Sequence, residues 1–406
     1  MNRKQLLILL VIVVVLGAAG WIIHQKNSNS WHAGGADIGG KLLPGLPIND
    51  VAQITIKSGE GQVTLVRDNN LWRVRERANY PANFGQLSQL LMKFADLKVV
   101  QNETFGPSQL GRFQLLPPGP GPDTATAVDF QDQAGKSLGS LLLGKKHLKA
   151  AAPNPQMGAM GDDSWPDGRY VMAGAGAREV ALISDPLEDV QSKPDQWVNK
   201  DFLNVEKPRA VAVQFPVATN SWKLTRATET NDWQLADARP GEKLDSSKIS
   251  SVTSPLSSAS FNDVAAPSAA DTATTNGTVL TVETFDGFKY VSHIGPKLGD
   301  NYPVRFAITA SLPVRTPAKD EKPADTARLD KEFAAQQQLL TDKLTRESAL
   351  TNWVYQMPTF SLDEILKTRQ QLLVEADTNT PPMQADTNSP SAPQTPPEPQ
   401  ISSPSH

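Results

Sequence analysis

Apolar and polar residues alternate along "VAQITIKSGEGQVTLVRDNNLWRVRE", which begins at Val51. Ile54 and Ile56 share one face of a first strand, Val63 and Leu65 of a second, Trp72 and Val74 of a third. "SGEG" and "DNN" are the turns. A period of two broken by Gly- and Asn-rich turns predicts a three-stranded antiparallel meander with one buried face. The period then changes. In "NFGQLSQLLMKFADLKVV", Phe84, Leu87, Leu90, Leu91, Phe94 and Leu97 recur at three- and four-residue spacing. Asn83 with Gln86 makes a capping box at its start. An amphipathic helix is therefore expected to cover the apolar face of the meander.

The pattern occurs twice. In "AVAVQFPVATNSWKLTRATETNDWQLA", Val213 and Phe215 match Ile54 and Ile56. Trp222, Leu224 and Arg226 match Val63, Leu65 and Arg67 at the same offset, and Trp233 and Leu235 match Trp72 and Val74 after a slightly longer turn. Asp245 then caps a second helix with Ile249, Val252, Leu256 and Ala259 on one face. Pro255 should shorten or kink it. Two hairpins continue the echo: Thr124 to Gly144, turned at Ala134-Gly135, and Gly277 to Gly295, turned at Asp286-Gly287. "RYVMAGAGAREVALISDPLEDV" reads as two strands around a tight turn, then a short helix. "NYPVRFAIT" and "NWVYQMPTFSLDEIL" are its counterparts, with Ser361 and Glu364 as a capping box. A drift confined to turns is the mark of a duplicated domain. The halves disagree at Ser311 to Thr351, far longer than an ordinary hairpin loop. Its centre, Thr326 to Glu347, predicts a helix with Leu329, Phe333, Leu340 and Leu344 as its stripe.

The ends differ from this body. Arg3 and Lys4 precede an uncharged apolar run from Leu6 to Ile23, about 27 Å of helix at ~1.5 Å per residue, close to the hydrocarbon thickness. The basic residues favour a cytoplasmic N-terminus. A retained anchor is the preferred expectation, because apolar residues resume at Trp21-Ile22-Ile23. A signal peptide cleaved near Gly17-Ala18-Ala19 is the alternative. The expected organisation is an anchor (1–26), a Gly-rich stalk (27–47), a first α+β repeat (48–205) and a second (206–374) carrying the helical insertion 311–351. A disordered Pro/Ser/Thr-rich tail (375–406) with the near-repeat "ADTNTPP" and "ADTNSPS" closes the chain.

Composition narrows the chemistry. A net charge of −4 gives no bulk basic signal for nucleic acid. The absence of cysteine excludes disulfides, thiolate zinc sites, Cys nucleophiles and a lipoprotein anchor. His24, His32, His147, His293 and His406 have no partner at metal-ligand spacing. "GAGA" (Gly174 to Ala177) lacks the third glycine of a dinucleotide fingerprint and is followed by a strand. Asp162-Asp163 falls in a Gly/Pro-rich loop without the calcium-loop pattern. No catalytic, cofactor-binding or metal-binding residues are assigned, and a non-enzymatic protein is expected.

The anchor, "DNNLWRV", the helix Phe84 to Leu97, the hairpin Ala125 to Gly144 and "REVALISDPLEDV" together resemble the bacterial family known as domain of unknown function 4340. The resemblance covers roughly Ile48 to Val374. The family's compact Gly-Leu-x-x-Pro element is replaced here by "FGPSQLGRFQLLPPGPGP", and the long insertion is a further departure. Members are commonly encoded beside an export-type ABC transporter with gliding-motility-like permease and auxiliary proteins. The resemblance therefore implies a single-pass inner-membrane protein with its bulk in the periplasm, acting as an accessory or scaffold beside such a permease or auxiliary subunit. A glycan- or peptide-binding module, using a groove between the repeats, is the alternative. The helical insertion, Asp325 to Thr351, is the candidate partner contact.

Trp72 and Trp233 are expected to be core residues rather than ligand platforms, since each shares a face with a following aliphatic residue. Trp72→Ala should destabilise the body by roughly 3–5 kcal/mol; an unchanged melting curve would contradict a core role.

Overall fold

The computed structural model describes residues 38–104, 106–149, 164–174, 179–266, 277–317 and 321–374. The expected anchor, the stalk up to residue 37 and the tail 375–406 lie outside them. Among the described residues, no helix is long and apolar enough to cross a membrane.

The fold is α+β, with two antiparallel sheets and few helices. The first half contains β1 (Gln53–Ser58), β2 (Gly61–Asp68), β3 (Leu71–Val74), β4 (Tyr80–Pro81), α1 (Phe84–Asp96), β5 (Val99–Thr104), β6 (Thr126–Gln131), β7 (Ser137–Lys149), β8 (Trp165–Ala173) and β9 (Glu179–Ile183). Its strands lie in the order β4-β3-β2-β1-β6-β7-β8-β9-β5. The second half contains β10 (Pro208–Gln214), β11 (Trp222–Thr225), β12 (Gln234–Leu235), α2 (Ser246–Ile249), β13 (Asp263–Ala265), β14 (Thr278–Thr284), β15 (Phe288–Ile294), β16 (Asn301–Ala310), α3 (Pro323–Ser348), β17 (Val354–Pro358) and α4 (Thr359–Leu362). Its order is β12-β11-β10-β14-β15-β16-β17-β13. Setting aside the two-residue β4, the orders correspond strand for strand.

The register corrects one of the sequence matches. Ile54 pairs with Leu65 and Ile56 with Val63, whereas Val211 pairs with Leu224 and Val213 with Trp222. The counterparts of Ile54 and Ile56 are thus Val211 and Val213, not Val213 and Phe215. The chain leaves the second sheet earlier, through a 3-10 turn at Ala218–Asn220, which strands Phe215 half-buried beyond β10. The tryptophans also differ. Trp72 is buried, but Trp233 is half-exposed beside a two-residue strand, with the Arg226 guanidinium 4.8 Å from its ring centre. It still packs against the core from the sheet edge, a partial form of the core role expected of it.

Several helical expectations change for local reasons. In α1 the Asn83 side chain accepts from the Gln86 backbone N–H, and Leu87, Leu90, Leu91 and Phe94 are buried. Phe84, assigned to the stripe, is 65% exposed. The second helix shrinks to the single turn α2, capped by Asp245. Pro255 cannot donate a helical hydrogen bond, and Leu256 takes a left-handed φ of 63°. Ile249, Val252 and Leu256 are buried without a helix to carry them all. The short helix expected after β9 does not form over Asp185 to Val190. The Ser361–Glu364 capping box does not form, since α4 starts behind Pro358; Thr368 and Gln371 form one instead. Residues expected in the stalk belong to the body. Leu42, Leu43 and Leu46 are buried, and the Leu42 N–H donates to the Leu97 carbonyl. Chain ordering there follows from this lost apolar surface.

One continuous hydrophobic core serves both halves. At their junction Tyr80 meets Trp353 at 4.9 Å, edge to face, and Phe261 at 5.9 Å. Tyr355 packs on Phe202 and Phe261 at 4.7 and 5.1 Å. Arg77 donates to both carboxylate oxygens of Asp263, at 2.5 and 2.7 Å, and the Trp353 indole donates to the Ala78 carbonyl. Burial pushes the Tyr80 phenol up to about 12. The wild-type chain is expected to unfold in one calorimetric transition. Tyr355→Ala should lower stability by about 3–5 kcal/mol and separate the unfolding of the two halves. An unaltered single transition at the wild-type temperature would show that this joint contributes nothing.

Candidate functional sites: a polar cleft and a helical arm

Two places in this frame depart from what the fold alone requires. The first is an end of the first sheet. Along β1 the inward column runs Ile54, Ile56, Ser58, and along β6 it runs Phe130, Val128, Thr126. On β8 the residue two before inward-facing Val171 is Arg169. Three columns therefore turn from apolar to polar at the same end. They open on a cleft of about 440 Å³, walled by the β1–β2 turn, Gln114 to Thr124 and Val190 to Ser192.

A β-bulge shapes this end. Leu143 pairs with Val171 but Lys146 with Arg169, so two residues of β7, Gly144 and Lys145, stand against Tyr170. A bulge re-aims nearby groups. Here the Gly144 carbonyl accepts from Arg169 Nε at 2.8 Å. Nη1 donates to the carbonyls of Leu187 and Pro186 at 3.2 and 3.3 Å. Burial lowers the Arg169 pKa, with Glu188 pulling the other way. Ser58 and Ser192 hydroxyls are 2.7 Å apart on the wall. Two glycines permit close approach: a Cβ on Gly59 would come within 2.5 Å of the Gly119 carbonyl oxygen, and one on Gly144 within 2.2 Å of that of Phe113.

The second place is α3. Its C-terminal half packs on β16, over the core face that the shortened α2 leaves uncovered. Leu340 is buried and Leu344 half-buried against the core. Glu347, 2% exposed, accepts from the Tyr290 hydroxyl at 2.7 Å. Burial first, then this bond, pushes the Tyr290 phenol well above its ordinary value. Lys343 donates to the Asn204 carbonyl at 2.7 Å. The N-terminal half is different. Arg328, Lys331 and Glu332 are exposed, and Leu329 and Phe333 are half-buried but outside the core cluster. Only the C-terminal end of the predicted stripe therefore packs into the core.

The other singled-out residues stay apart from both places. His147 Nδ1 lies 2.6 Å from an Asp167 carboxylate oxygen, a partner that sequence spacing did not reveal because it comes from the neighbouring strand β8. His293 is exposed on β15. Asp162-Asp163, Ala175 to Ala177 of "GAGA", His24, His32 and His406 lie outside the described residues. Among the described residues no group of three or more His, Cys, Asp or Glu could hold a metal ion. The space between the sheets, where a ligand groove was one expectation, is occupied at the junction by packed aromatic rings. Sequence reasoning missed Arg169, although the period of two places it on the same face as Val171.

Residues 72–277, just over half the chain, match the family model described as a domain of unknown function (DUF4340). No curated protein and no solved structure matches the chain.

Glu347→Ala would leave the buried Tyr290 hydroxyl without its acceptor, at an expected cost of about 1–3 kcal/mol. Limited proteolysis should then cut α3 faster than in the wild type. Equal cleavage rates would mean that Glu347 does not hold the helix down.

Proposed function

We propose that this chain, which belongs to the DUF4340 family, is a non-enzymatic accessory or scaffold protein of a bacterial export complex. In this reading Leu6 to Ile23 anchors it in the inner membrane, and the two-sheet body, a tandem duplication, stands in the periplasm. Its partner is a permease or auxiliary subunit of an ABC-type exporter. The observation that carries the reading is the division of α3. Its C-terminal half is fastened by Leu340 and Glu347, while Arg328 and Lys331 of the N-terminal half and the 64%-exposed Leu339 near the middle point outward. A helix fastened at its C-terminal end, tied to its own leading segment by Arg315–Asp330 at 3.0 Å and exposed on its outer face, supplies a rigid arm with a mixed polar and apolar surface, the kind a partner can dock against.

The reading has a direct test. Arg328→Glu, Lys331→Glu and Leu339→Ser combined should leave the melting temperature near that of the wild type, since these side chains are exposed. Crosslinking in intact membranes, followed by identification of the attached protein, should lose the exporter subunit captured by the wild type. If the triple variant captures it equally well, α3 is not the contact. If the wild type captures no exporter subunit, the accessory role fails. A second reading, a periplasmic glycan- or peptide-binding module, is favoured by the polar cleft at the end of the first sheet.

A further inference from the structure

We infer that the cleft at the end of the first sheet binds a small polar molecule carrying an anionic group, a carboxylate or a phosphate, and that Arg169 is its anion-binding residue. The inference is independent of the scaffold role assigned to α3.

The first support is the state of the guanidinium. Nε and Nη1 donate to three backbone carbonyls, all uncharged acceptors. Nη2 donates to no group among the described residues, and Arg169 lines the cleft. Glu188, the acidic group that acts on Arg169 electrostatically, is itself 2.7 Å from Lys146. The carboxylate on the cleft wall, Glu60, is 3.1 Å from Lys193 and largely exposed. A guanidinium remains charged in a protein, and a partly buried charge is best satisfied by an opposite one. The three carbonyls hold the planar head in one orientation, so little freedom remains to be lost when Nη2 meets an anionic oxygen.

The second support is an internal control. The second sheet repeats the strand order, so its matching positions show what the fold needs at this end. Ser58 lies two residues after Ile56, and its counterpart, two after Val213, is Phe215. Leu143 pairs with Val171 as Ile294 pairs with Val304, so the counterpart of Arg169 is Tyr302. Tyr302 gives its hydroxyl to Asp363 at 2.7 Å. The second half thus has an aromatic ring at the Arg169 position, and at the Ser58 position its strand has already ended, with Phe215 just beyond it. The serine and the arginine of the first sheet are not demanded by topology, and both line one cleft.

The third support is shape. The cleft's ~440 Å³ falls in the range of about 300–1,000 Å³ typical of small-molecule sites. Its wall carries the Ser58 and Ser192 hydroxyls, Thr124, Thr126, Gln114 and Gln191. Hydroxyls and amides around one cation suit a polyhydroxylated acid, such as a sugar acid or a sugar phosphate.

The test uses the full chain, purified in mild detergent, with glucuronate, glucose 6-phosphate and glucose as calorimetric probes. One or both charged probes should bind, more weakly as salt is raised, and glucose should bind at least about tenfold more weakly. Preference between the two charged probes separates the carboxylate from the phosphate source. Arg169→Gln should abolish binding. Because that change also removes three carbonyl bonds, Ser58→Phe is the second variant. It fills the cleft with a ring, gives up the Ser58 contacts to Ser192 and the Glu60 N–H but leaves the three Arg169 bonds in place, and should abolish binding in a chain that still unfolds cooperatively. The inference is overturned if neither charged probe binds, if glucose binds as tightly as they do, or if Ser58→Phe binds with undiminished affinity.

Discussion

The two halves of this protein hold together because aromatic rings from both meet edge to face around Tyr80 and Tyr355. Each half taken alone has an ordinary sheet with one apolar face. The junction makes those faces a single core, flanked by the Arg77–Asp263 fork and the Trp353–Ala78 hydrogen bond. Ring pairs of this kind add about 0.5–1.5 kcal/mol each beyond their buried area. The fork is partly exposed, so its contribution is mainly orientation.

Given that joint, each half covers its sheet in its own way. The first uses α1, with Phe94 against Phe130 of β6 at 5.1 Å. In the second, Pro255 and the left-handed Leu256 reduce the equivalent helix to one turn. The uncovered face, which includes Phe288 and Tyr290, is capped by the C-terminal half of α3. What looked in the sequence like an addition to the second half is therefore partly a replacement.

Alternation and period were legible where one face of an element is buried. Ile54, Ile56, Val63, Leu65, Trp72 and the Leu87–Phe94 stripe all sit where their spacing places them. Misreadings arose where something nonlocal decided. Phe215 continues the alternation but is severed from its strand by a turn. Leu42, Leu43 and Leu46, in a Gly-rich context suggestive of a linker, are drawn in by surface that α1 and β5 offer. β5 itself was not foreseen, because its partner β9 lies far along the chain. The cleft was hidden for the opposite reason: Ser58, Thr126 and Arg169 are ordinary singly and acquire meaning only when register brings their columns side by side.

That distant pairing of β5 bears on the order in which the protein can assemble. Val99 must wait for Ile183, and β13 must wait for β17, with all of α3 made in between. Tyr80, near the start, finds Tyr355 only when the last long strand is present. Contacts so remote in sequence slow folding, since long loops close before they are rewarded. The local β1–β2–β3 meander can pair early, but the aromatic joint closes only once β17 has been made.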